Sequence, residues 1–121
     1  MTNQEAFDKV WDWFVVRGKP ASLRPVTHGY GCVYRGENGT RCAAGVLIPD
    51  ELYRLDMENM SIREVINQDR RLAEYFAGVS EDLLRSLQQA HDGLAGESDF
   101  AEEIEGSLIE VAAWFSLAVP A

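Results

Sequence analysis

Apolar positions recur at helical spacing near both ends of the chain and lose that spacing in the middle. Near the start, Phe7, Val10, Trp11 and Phe14 fall at i, i+3, i+4 and i+7, the stripe that one helix face presents to a core. Thr2 and Glu5 form a T-x-x-E capping box ahead of it, and Gly18 followed by Pro20 makes continuation costly. The pattern predicts a helix over 3–17, with Trp11 facing in and Trp13 at the edge of the stripe. Near the end, Phe100, Ile104, Leu108, Val111 and Phe115 repeat at steps of four, four, three and four. Glu102, Glu103 and Glu110 fall largely opposite, which predicts an amphipathic helix, capped by Ser98. Three shorter helices are expected before it. Ser61 and Glu64 form a second capping box for a helix through Ile66. Asp69 caps one that carries Leu72, Ala73, Tyr75 and Phe76 and stops at Gly78. Ser80 caps one with Leu83, Leu84, Leu87 and His91 along one side.

The middle of the chain has turn chemistry instead. Residues 19–31 hold two prolines and two glycines, which argues for a connection with a short extended piece over 26–30. Residues 32–35 favour a strand, and Asn38-Gly39 supplies the positive φ angles of a tight turn. Residues 40–42 then return as the second strand. Residues 42–48 read as a continued strand or as a short buried helical turn. Ala43, Ala44 and Gly45 favour the turn, because small residues let two backbones approach closely. The expected fold is α+β, mainly α: a small helical domain with a two-stranded β-hairpin insert, residues 1–121 forming one domain.

Composition narrows the functional classes. An apolar fraction of 46% and a charged fraction of 26% are those of a globular chain. No segment approaches the roughly 18 apolar residues that span a bilayer. The acidic N-terminus does not read as an export signal, so a cytoplasmic protein with reduced cysteines is expected. Net charge is −9, with seven acids and no Lys or Arg from Ser86 onward. That field disfavours direct contact with nucleic acid or membrane and favours a basic protein surface, although solubility alone also accounts for it. Asp99, Glu102, Glu103 and Glu110 are the candidate binding residues.

The block Tyr34-Arg35-Gly36-Glu37-Asn38-Gly39, then Cys42-Ala43-Ala44-Gly45-Val46-Leu47-Ile48-Pro49-Asp50-Glu51-Leu52-Tyr53, with Leu87-Gln88-Gln89-Ala90-His91-Asp92 later, resembles a group of small bacteriophage and prophage proteins. The resemblance covers about a third of the chain. It implies a setting, a phage accessory protein in the host cytosol, and no reaction. A binding protein follows as the first expectation: an acidic inhibitor of a host defence or nucleic-acid-binding complex, anti-CRISPR-like or otherwise anti-defence.

The alternative is a cysteine-dependent enzyme with Cys42 as nucleophile and His91 as base. Adjacent helical residues point about 100° apart, so Asp92 is not expected to orient His91. Against the enzyme stands a structural reading, with Cys42 filling a small apolar space and His91 bonding a carbonyl. His28, Cys32, Cys42 and His91 lack the spacing of known zinc sites, so no metal or cofactor is expected. Arg35 and Arg41 could hold a small anion or be solvated edge charges. A homodimer through Trp114, Phe115 and Leu117 is the remaining partner expectation.

Overall fold

The computed structural model describes residues 1–26 and 29–120 and is mostly helical. Helix α1 spans Asn3–Trp11 and continues into a wider π-helical turn over Asp12–Val16, closed by Arg17 N–H donating to Asp12 O. Its capping box forms as expected: Thr2 Oγ1 accepts from Glu5 N at 3.1 Å, and Glu5 Oε1 accepts from Thr2 N at 2.9 Å. Short helix α2 spans Ala43–Leu47, α3 Ile62–Gln68, α4 Arg70–Tyr75, α5 Glu81–Leu94 and α6 Phe100–Trp114. Asp99, not Ser98, sits at the N-cap of α6, and its carboxylate caps nothing. Instead its backbone carbonyl accepts from Glu102 N and Glu103 N.

The predicted hairpin over 32–42 is not formed. Strand β1, Leu23–Val26, pairs antiparallel with β2, Gly29–Cys32, in the segment expected to be a connection. Of the predicted pairing over 32–42, only a single bridge remains, between Arg35 and Arg41. The turn chemistry itself is present, since Asn38 and Gly39 both take positive φ, 58° and 74°. What fails is the ladder. Tyr34 N and Arg35 N, which would pair with a return strand, donate to the buried carboxylate of Glu58 at 3.0 and 3.2 Å. On the other side, Cys42 is already committed as the N-cap of α2.

The core runs from Ala6, Phe7, Val10 and Trp11 of α1 through Leu83, Leu84 and Leu87 of α5 to Ile104 and Leu108 of α6. Helix α5 packs on α6, and α2 packs on both α1 and α5. The close approach expected of the Ala-Ala-Gly run is realised at Gly45, whose Cα lies against the Tyr34 carbonyl. Among the described residues no helix is long and apolar enough to cross a membrane.

Buried charge is matched locally. Asp69 caps α4, accepting from Arg71 N at 2.9 Å, and pairs with Arg54 at 2.9 Å. Burial alone would push its carboxyl up. The N–H groups of Arg71 and Leu72, with the Arg54 and Arg71 guanidinium groups, outweigh that and hold it below the usual range.

Candidate functional site

Helix α5 presents three polar residues, Gln88, His91 and Asp92, toward the residue before β1 and toward α2. His91 is fully buried, its ring packed against Phe14 and Phe100 at centroid distances of 5.6 and 5.7 Å. Ser22 N donates to His91 Nε2 at 3.1 Å, and His91 Nδ1 lies 2.9 Å from Asp92 Oδ1. A backbone N–H can only donate, so Nε2 carries the lone pair and the ring proton sits on Nδ1, donating to Asp92. Gln88 Nε2 donates to the same Asp92 oxygen at 2.7 Å, while Gln88 Oε1 accepts from Ala44 N at 2.9 Å. A continuous polar chain thus ties the entry to β1, through α5, to the start of α2.

Two expectations are corrected here. Asp92 does orient His91: the carboxylate of one helical residue and the near ring nitrogen of the residue before it meet, despite the angular separation of their Cβ atoms. And His91 accepts from an amide at the end of its ring where a carbonyl acceptor was expected.

Beside this chain lies a cavity of about 400 Å³, walled by apolar atoms of Val33, Met60 and Ile62, with Cys32, Cys42 and Asp92 in its lining. Cys42 is buried, and its Sγ accepts from Gly45 N at 3.4 Å as the N-cap of α2. Burial pushes its thiol up to about 12, although the Gly45 N–H and Gln88 act in the opposite direction. Cys32 is exposed; partial desolvation, then the Asp92 charge beside it, raise its thiol to about 12 as well. Both are therefore thiols at neutral pH. Both nitrogens of His91 are already hydrogen-bonded, to Ser22 N and Asp92 Oδ1, so a proton transfer from Cys42 to His91 would first have to displace one of those partners.

The ligand atoms of Cys32, His91 and Asp92 lie within 4.8 Å of one another, a grouping that the sequence spacing concealed. It does not suit a metal ion. Ligation through Nδ1 would move the imidazole proton to Nε2, facing the Ser22 N–H, whereas a metal-bound histidine needs an acceptor there. His28, the other histidine, lies outside the described residues.

The remaining expected site residues are placed apart from this cavity. Asp99, Glu102, Glu103 and Glu110 are all exposed on α6. Arg35 and Arg41 are spent internally. Both pair with Asp50, at 2.6 and 3.3 Å; Arg35 also lies 4.8 Å from the Tyr53 ring centroid, and Arg41 5.4 Å from that of Trp13. Sequence reasoning missed Gln88, Ser22 and Glu58, whose bonds to Ala44, His91 and Tyr34 reach 24 to 69 residues along the chain. No protein-family model, no curated protein and no solved structure matches the chain.

The thiol chemistry is directly measurable. Iodoacetamide at pH 7 should alkylate Cys32 at least about tenfold more slowly than free cysteine, and Cys42 only on unfolding. The Cys32 rate should climb with pH well beyond 9 and rise when Asp92 is changed to Asn, since the raising charge is gone. Peptide mass spectrometry reads both sites separately, and rapid labelling of Cys42 in the folded protein would contradict the geometry.

Proposed function

We propose that the chain acts by binding, as a phage or prophage accessory protein whose acidic α6 face docks on a basic surface of a host protein, such as a nucleic-acid-binding defence complex. One observation carries this reading. Asp99, Glu102, Glu103, Glu105 and Glu110 are exposed on α6 with no ion-pair partner among the described residues. The same helix ends in Trp114, 82% exposed. Exposed carboxylates steer an encounter with a basic surface, and a protruding tryptophan is the residue type that most often anchors an interface. A groove of about 330 Å³ between α5 and α6 opens beside it. The phage setting rests on the motif resemblance.

The dimer expectation narrows at the same place. Phe115 and Leu117 pack partly against the core, leaving Trp114 alone fully outside. One strongly exposed tryptophan, with Ile109 and Val119 only 44% and 40% exposed, is a small patch for self-association, so light scattering should report a monomer.

Two variants test the reading: the triple change Glu102→Gln, Glu103→Gln and Glu110→Gln, and separately Trp114→Ala. Both alter exposed side chains, so each should shift stability by less than about 1 kcal/mol. Capture of a basic host protein at low salt should fall at least about tenfold in each and fade as salt rises. Capture that ignores both variants would remove the α6 face from the function.

A further inference from the structure

We propose that the cavity beside Asp92 binds a small organic cation, an alkylammonium or guanidinium group on an apolar stem, with Asp92 as its counter-charge. The site is separate from the α6 face and goes beyond the reading above. Its volume, about 400 Å³, falls in the range of small-molecule pockets. Its apolar walls, Val33, Met60 and Ile62, suit a hydrocarbon stem.

Two carboxylates line it, and they are not equivalent. Glu58 is consumed: it accepts from Tyr34 N, Arg35 N and the Tyr53 hydroxyl, the last at 2.7 Å. Asp92 is held in place yet not used up. The donors from His91 and Gln88 both end on Oδ1, the Cys32 thiol beside the carboxylate is only a weak donor, and the Asp92 side chain remains 42% exposed. A pre-oriented carboxylate loses little freedom on taking a cationic donor, and a charge-assisted bond beside apolar walls is stronger than in open water. Among the described residues, the one cation in the lining, Arg85, pairs with Asp82 at 2.8 Å. The protein's charge of −9 adds to the attraction for a cation.

The test is amide NMR titration of the full chain with n-pentylammonium, n-pentanol and an end-capped Gly-Arg-Gly tripeptide. Pentylammonium should shift the amides of Gln88, Gln89, Asp92 and Ser61 saturably in the millimolar range, and pentanol should not. Asp92→Asn keeps an oxygen for His91 and Gln88 but removes the charge, so binding should weaken at least about tenfold. Arg85→Ala, a change at the exposed rim, should tighten it about twofold or more. Tighter binding of the tripeptide would assign the cation to a partner's side chain; tighter binding of pentylammonium would assign it to a free amine. Equal shifts from pentanol, undiminished binding in Asp92→Asn, weaker binding in Arg85→Ala, or no saturable shift would each overturn the proposal.

Discussion

His91→Ala should destabilise the protein by about 3–5 kcal/mol, the largest effect expected of any single substitution outside the apolar core. Three losses add. The ring fills space between Phe14 and Phe100 and is fully buried, so its removal leaves a cavity. Ser22 N is left as a buried donor without its acceptor. Asp92 keeps only Gln88 of the pair that fixes Oδ1. For a domain of ordinary stability, about 5–15 kcal/mol, this is about a fifth of the total or more. Urea unfolding followed by circular dichroism reads it, and a loss under about 1 kcal/mol would mean the polar chain is not structural.

Gly45→Ala carries a prediction whose sign is informative. Alanine favours a helix over glycine by about 1 kcal/mol, and Gly45 lies inside α2 without positive φ. Local propensity alone therefore predicts stabilisation. The added methyl, however, would run into the Tyr34 carbonyl oxygen, carbon and Cα, all backbone atoms. No rotamer change relieves that, so α2 must part from the 33–35 segment. Overpacking of this kind costs about 1–3 kcal/mol, and more when the backbone must move. We expect net destabilisation of about 2 kcal/mol or more by the same measurement; stabilisation would place α2 farther from Tyr34.

How legible the molecule was in its sequence depended on how local each cause is. Helices α1, α3 and α5 could be read because cap and stripe lie within a few residues: Thr2 with Glu5, Ser61 with Glu64, Ser80 before Leu83. The close packing of α2 could be read because only small residues permit it. The hairpin was misplaced because the deciding group, Glu58, sits 24 residues from the amides it takes. Nothing at residues 32–42 announces that these donors have another acceptor. The site was half legible. His91 and Asp92 stood out by type, but the partner of His91 is a backbone amide 69 residues away. The cysteine beside Asp92 is Cys32, while Cys42, chosen from the sequence, turned out to be a helix cap. Exposed α6 carboxylates were readable because periodicity alone assigns them to the outer face.

The tautomer of His91 decides most directly whether that residue is spent on the fold, leaving Asp92 as the one poised group of the cavity. Long-range ¹H–¹⁵N correlation spectra of histidine-labelled protein distinguish the two neutral forms, with His28→Gln assigning the signals. The hydrogen bonds from Ser22 and to Asp92 require a proton on Nδ1 and a bare Nε2, unchanged by added zinc. A proton on Nε2, or a ring that shifts on zinc addition, would contradict it and return His91 to the candidates for base or ligand.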